Sequence, residues 1–416
     1  MHSLSGISSS FKTNLKLTFI ALRHPNYRLW FYGQLVSLVG TWMQNTAQGF
    51  LVYQLTNSPA FLGYVSFASG IPSLFFTLFG GVIADRISRR LMIIITQASM
   101  SVLAFIQAAL VFSGLIQPWH IMILAFLLGI ATAFDAPARQ SFVVEMVDRE
   151  DLTNAIALNS TMFNMATVVG PAIAGLAYAW LGPAWCFTIN GISFIAVITA
   201  LALMKLPKRV NTPAPGNAME QLKEGLDYTR RSPIILGLFA LVGTVGIFVS
   251  GLFTLIPAWA VDVLHGDATT NGLMLSARGF GSMVGGICIA YLSRFHIRGK
   301  TMTVGSMVLP IIMAVFALIT DIPLSLVLLC LIGFCFMLVI NNINSLTQTS
   351  VPDELRGRVI SIYIMVFFGS QPIGSLIAGQ LAEATSETLT ALIFSGCLLV
   401  SAVLVFLRLP KLKTVP

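Results

Sequence analysis

The chain has 416 residues, of which 56% are hydrophobic and only 10% charged, less than half the charged fraction of an ordinary soluble domain. Its formal net charge of +8 is spread over short segments between apolar runs, a distribution that points to a membrane surface and away from nucleic acid. The apolar runs are about 20 residues long, enough to cross roughly 30 Å of hydrocarbon as a helix. They lack the period-two alternation of a membrane barrel, so the expected fold is an all-α integral membrane protein.

In chain order, residues 1–28 form a polar, basic tail with Lys12, Lys16, Arg23 and Arg28. The apolar run that follows is too long for the core of a cleavable signal peptide. Punctuation by Pro, Gly and charge then marks twelve spans, at 29–53, 60–83, 91–113, 118–136, 154–177, 184–204, 233–258, 271–292, 301–320, 323–346, 358–381 and 388–408. All of the 24 Lys and Arg residues except Arg278 fall in the two tails, in the even-numbered loops or at span edges facing them, whereas the odd-numbered loops carry only acids such as Asp262, Asp267, Asp321, Glu383 and Glu387. The positive-inside rule therefore places both termini in the cytoplasm of a cell whose cytoplasmic membrane the chain is expected to span.

Residues 205–232 separate spans six and seven. After a Pro-rich stretch, Met219, Leu222 and Leu226 oppose Glu220, Lys223, Glu224, Asp227 and Arg231, as in an interfacial helix or a solvated connector. On either side the chain repeats. GGVIADRISRR at 80–90 aligns with GGICIAYLSRF at 285–295, and GPAIAG at 170–175 with GSLIAG at 374–379. The expected organisation is a tail (1–28), a six-helix bundle (29–204), a cytoplasmic linker (205–232), a matched six-helix bundle (233–408) and a second tail (409–416). Parallel repeats of this kind build transporters with a site between the halves near the midplane.

The loop between spans two and three concentrates Asp85, Arg86, Arg89 and Arg90 after Gly81. A topology anchor needs only the arginines. Asp85 instead suggests a charge that a moving half makes or breaks, with the amino end of span eleven, Arg356 or Arg358 as partner. Gly81, Asp85, Arg86, Arg89 and Arg90 resemble the GxxxDRxGRR loop of the major facilitator superfamily, with Ser88 in place of the second glycine. The resemblance covers the whole chain through span number, linker and repeat. It implies two pseudo-symmetric six-helix bundles, alternating access, and a cytoplasmic gate in which the acid docks on span eleven. The second-half copy has Ala290 at the acid's position, so the gate is expected to be asymmetric.

In span five, Ala166, Gly170, Pro171, Ala174 and Gly175 are similar to the glycine-rich motif of drug-exporting antiporters, with alanine at three glycine positions counting Ala157. FDAPARQSFVVEMV and RHPNYRLWFYGQLVSLVGTWMQ further resemble the branch that contains the enterobactin exporter and macrolide efflux proteins. That branch implies efflux of a lipophilic or amphipathic small molecule, drug-like or siderophore-like, driven by the proton gradient and without any cofactor. An importer of the same fold is the alternative.

Polar side chains in lipid-spanning helices face a cavity or each other. Gln34, Thr41, Asn45 and Gln48 share one face of span one; Asn164, Asn342 and Gln371 lie in spans five, ten and eleven. With Arg278 they are the candidates for a wet substrate cavity, interhelical hydrogen bonding being the other reading. Arg278 itself either faces that cavity or is neutralised by snorkelling or by Asp262 or Asp267. Asp135, one turn before Arg139, is the best candidate for proton coupling, or else half of a structural ion pair. The five histidines lie in tails, loops or span edges, no metal-ligand spacing occurs, and no GxxxxGK[ST] loop is present. An enzyme or an ATP-driven pump is therefore not expected, and the chain reads as a monomer whose partners are its small-molecule substrate and the lipid bilayer.

Overall fold

The computed structural model describes residues 18–84, 88–205, 218–295, 297–410 and 412, and every regular element among them is a helix. The long helices are α1 (Pro25–Thr56), α2 (Pro59–Ala84), α3 (Arg89–Phe112), α4 (Pro118–Phe142), α5 (Leu152–Leu181) and α6 (Pro183–Leu203). A shorter α7 (Ala218–Arg231) leads to α8 (Pro233–Thr254), which continues through Ile256–Ala258 and a π turn at Trp259–Val263. α9 (Ala268–Leu292), α10 (Arg298–Ala317), α11 (Ile322–Thr349), α12 (Asp353–Ala384) and α13 (Glu387–Arg408) complete the chain.

The helices begin where local chemistry supplies a start. Proline opens α1, α2, α4, α6 and α8, where its fixed φ suits the first turn and its missing donor is not needed. Ser88, Ser232, Asp321 and Ser386 accept hydrogen bonds from Leu91, Ile235, Leu324 and Leu389 and so cap α3, α8, α11 and α13. Span four was expected to stop at residue 136, before Pro137. α4 instead runs to Phe142, because neighbouring helices hold the turn in which proline removes one hydrogen bond.

Eleven helices among the described residues are long and apolar enough to cross a membrane. α1, at 32 residues, is longer than most of them, but the amides at 34, 44, 45 and 48 dilute its hydropathy. Gln34, Gln44 and Gln48 are buried against protein. α1 is thus a spanning helix whose polar face is covered by its neighbours.

Each long helix other than α7 runs from the side that carries the acidic loops to the side that carries the basic ones, termed here the acidic and basic ends. α1 packs on α5 and α6, α3 on α4 and α6, and α2 on α4. In the second half α8 packs on α12 and α13, α10 on α11 and α13, and α9 on α11. The halves meet where α5 crosses α9 and where α2 crosses α12. The second half has one continuous apolar core. The first half is divided into smaller clusters, and the one at the acidic end includes Ala258 and Ala268 of the second half. α7 lies against the basic end of α12, with Gly225 facing Arg358 and Ile362.

Candidate functional site

The two inter-half crossings are built from small residues at equivalent places in the repeat. A Cβ on Gly175 of α5 would stand 2.8 Å from the Ala268 carbonyl oxygen of α9, and one on Gly272 of α9 would stand 2.5 Å from the Pro171 oxygen. Across the pseudo-symmetric crossing, a Cβ on Gly63 of α2 would lie 2.7 Å from the Ser375 oxygen, and one on Gly379 of α12 would lie 2.6 Å from the Pro59 oxygen. Glycine at these four positions lets backbones touch, so the glycine-rich segment of span five works as a helix-crossing surface. Gly170 is turned the other way, against Val39, Trp42 and Met43 of α1. Ala166, Pro171 and Ala174 are buried along the same helix.

Polar contacts reinforce the acidic end. Tyr53 of α1 donates to Asp262 of α8, and Glu383 accepts from the Ser58 hydroxyl at 2.6 Å and the Ala60 amide at 3.3 Å. Nearer the middle, Ser276 of α9 donates to the Val168 oxygen of α5 at 2.6 Å. Toward the basic end the crossing helices expose large apolar side chains, including Phe75 of α2, Ile156 and Phe163 of α5, Phe280 and Ile287 of α9, and Phe368 of α12.

The residues expected to line a cavity are divided among different environments. Gln34 and Gln48 are buried, both amide atoms of Gln34 and the Gln48 oxygen having no hydrogen-bond partner. Thr41 bonds back to the Ser37 carbonyl, and Asn45 is exposed. Asn342 is buried and donates to its own helix at Leu338, while Asn164 and Gln371 are half-buried. Gln44, next to Asn45 on α1, accepts from Asn190 of α6 at 2.7 Å, and Ser193 completes that network within the first half. The partner, 146 positions away, left no local signal in the sequence.

Arg278 is half-buried, with its guanidinium carbon 4.4 Å from the Phe253 ring centre of α8 and 6.0 Å from that of Trp42 of α1. It therefore lies between the two halves. Its suggested neutralisers are engaged elsewhere: Asp262 accepts from Tyr53, and Asp267 accepts from the Thr270 amide and hydroxyl at the start of α9. Among the described residues Arg278 has neither an ion pair nor a hydrogen bond. An arginine deep in a span costs at least about 2.5 kcal/mol, and stacking on aromatic faces returns about 0.5–2 kcal/mol. The rings thus offset the cost only in part, and the side chain retains its full set of donors.

Asp135 is buried; its Oδ2 pairs with Arg139 at 2.6 Å, and its Oδ1 accepts from Thr96 at 2.8 Å and Gln97 at 3.2 Å. The ion pair lies within α4, and the Thr96 and Gln97 bonds tie that helix to α3. Burying a charge pair costs desolvation that hydrogen bonds must offset; the two α3 side chains satisfy Oδ1, while Oδ2 has only the charge of Arg139 beside it.

At the basic end, Gly81 falls in the last turn of α2, and Asp85 and Arg86 lie outside the described residues. Arg89 pairs with Glu145 at 2.8 Å, and Arg90 donates to the Ala202 oxygen at 3.1 Å, both within the first half. Arg356 bonds the Gln348 oxygen at 2.9 Å and pairs with Asp353. Arg358 pairs with Glu224 of α7. The described partners of Arg356 and Arg358 thus belong to the linker and the second half. α7 was visible in the sequence as an amphipathic segment, but nothing there indicated that it would take Arg358.

This arrangement of twelve long helices among the described residues has clear relatives. The family described as transmembrane secretion effector matches residues 17–415. The chain is 30% identical over 398 residues to the multidrug efflux pump Tap of Mycolicibacterium fortuitum, covering 92% of this chain and 95% of that protein. It is 24% identical to macrolide efflux protein A of Streptococcus pyogenes, over 87% and 91% of the two chains. With the enterobactin exporter EntS of Citrobacter koseri the identity is 25%, over 94% and 93%. Among solved structures, the nucleoside transporter NupG superposes with a TM-score of 0.67 at 18% identity, covering 93% of this chain and 98% of that one. A peptide transporter of the POT family gives 0.69 at 15% identity, over 93% and 97%. The last two likenesses establish the fold.

Proposed function

The chain belongs to the transmembrane secretion effector family of major facilitator transporters, and from that premise we propose that it exports a lipophilic or amphipathic small molecule by alternating access, driven by the proton gradient. The halves at 29–204 and 233–408 rock about a shared cavity, and the linker at 205–232 keeps them tethered. The basic end faces the cytoplasm, as the positive-inside rule requires, and the acidic end faces outward.

The observation that carries this reading is the asymmetry of the inter-half contacts. Bare-backbone crossings and the Tyr53–Asp262 and Ser58–Glu383 bonds join the halves toward the acidic end. At the basic end Arg89, Arg90, Arg356 and Arg358 are held by partners within their own half or the linker. This is the pattern of a transporter closed outside and receptive inside. In the opposite state the outer contacts part and Asp85 docks at the amino end of α12, where its carboxylate meets a helix dipole and two arginines. The cavity is lined by Thr41, Asn45, Asn164, Gln371 and Arg278, while Gln34, Gln48 and Asn342 are buried behind it. Asp135 carries the proton and Arg139 tunes it. Tap, macrolide efflux protein A and EntS are named as exporters, which supports the outward direction.

Proton-driven accumulation of a lipophilic cationic dye in inverted membrane vesicles, abolished by a protonophore, tests the proposal. Accumulation in right-side-out vesicles alone would make the protein an importer.

A further inference from the structure

We infer that Arg278, with Trp42 and Phe253, forms a subsite for a planar aromatic carboxylate, so that the cargo class includes aromatic acids. The inference rests on the central-cavity reading above and specifies what part of that cavity recognises. Three observations meet at this point. The guanidinium has no ion pair or hydrogen bond among the described residues, although its surroundings are mostly apolar. It lies 4.4 Å from the Phe253 ring centre and 6.0 Å from that of Trp42. The ring series also continues on both sides, with Phe163 6.0 Å from Trp42 and edge-on to it, Phe336 5.8 Å from Phe253, and Phe367 6.4 Å from Phe336.

The chemistry follows from the shapes. A guanidinium presents planar paired donors that match the two oxygens of a carboxylate, and its own face is satisfied by aromatic rings. A flat conjugated acid can therefore place its carboxylate on the donors while its ring joins the aromatic series. An aliphatic acid would use only the first contact, and a neutral arene only the second. The site is also held in place. The α9 backbone at Arg278 touches Gly333 of α11, the next residue, Gly279, touches Thr167 of α5, and a Cβ on Gly333 would stand 3.1 Å from the Ser282 nitrogen. With no room between these helices, the Arg278 Cα cannot retreat, and its position is set before a ligand arrives. Trp42 belongs to the first half, Arg278 and Phe253 to the second, so a bound acid would touch both halves.

The test is fluorescence binding to purified, detergent-solubilised full-length protein with 1-pyrenecarboxylate, the neutral 1-pyrenemethanol and octanoate as probes. The carboxylate should bind about tenfold more tightly than the alcohol, and Arg278→Gln should bring that ratio close to one. A wild-type ratio near one overturns the inference, as does a ratio that persists in Arg278→Gln. If Arg278→Gln does not fold, Phe253→Leu decides: it should weaken pyrenecarboxylate at least fivefold and octanoate, measured by displacement, less than twofold. Equal losses for both ligands, or none, overturn the aromatic part. Binding is read without transport, so a protein that selects the carboxylate but accumulates no dye in inverted vesicles refutes the export mechanism and leaves the subsite standing.

Discussion

Tyr53 near the end of α1 donates its hydroxyl to Asp262 in the last turn of α8, and this bond joins the two halves at the acidic end. Hydrogen bonds to charged groups contribute about 1.5–3 kcal/mol net, and 1.4 kcal/mol is a factor of ten in a two-state equilibrium. Tyr53→Phe is therefore expected to raise the population open at the acidic end about tenfold. Spin labels at Leu55 and Thr385, one on each half, should report a longer inter-label distance in the variant. An unchanged distance distribution would show that the bond does not hold the closure.

The glycine crossings should be less forgiving than the hydrogen bonds. A Cβ at Gly175 would lie 2.8 Å from the Ala268 oxygen and 3.0 Å from the Thr269 Cα, both backbone atoms that cannot rotate aside. Overpacking at such points costs about 1–3 kcal/mol, and here it falls on the contact between the halves. Gly175→Val is expected to fold, since each half keeps its core, yet to lose at least tenfold in vesicle accumulation. Wild-type transport by this variant would contradict the role given to the crossing.

Asp135 poses a choice that a double variant resolves. Asp135→Asn alone leaves Arg139 without its counter-charge, and breaking a buried pair costs about 3–5 kcal/mol. Asp135→Asn combined with Arg139→Gln removes both charges and should recover most of the thermal stability. If Asp135 carries the proton, the double variant remains unable to perform proton-driven accumulation while still exchanging substrate down its gradient. Recovery of proton-driven transport together with stability would make the pair structural.

Asp85→Asn should lower export severalfold while leaving the melting temperature nearly unchanged, because under the proposed cycle the carboxylate acts in the outward-open state. Normal transport in the variant would reject the gate role.

Arg358→Ala removes the pair with Glu224 of α7. That pair is solvent-accessible, so its loss should cost no more than about 1 kcal/mol and shift the unfolding midpoint by only a few degrees. A large loss of stability would mean that α7 contributes to folding and not only to tethering.

Span number, the segregation of positive charge and the repeat are all local properties of the chain. Helix length in a bilayer is set by hydrocarbon thickness and sidedness by charge beside each span, so neither requires knowing which helices touch. Gly81, Asp85 and the arginines after them, and the small residues from Ala166 to Gly175, were legible for the same reason, being short patterns read in place. Tertiary packing decided everything that depends on pairs. It put Tyr53 against Asp262 across 209 positions, gave Asp135 the α3 side chains Thr96 and Gln97, assigned Gln44 to Asn190, and turned Arg358 toward Glu224. It also left Arg278 between two aromatic rings while both expected acids bonded elsewhere. A polar residue on an apolar helix announces that it needs a partner, but the partner is fixed by how helices cross, and those crossings are set by backbone contacts between glycines far apart in the chain.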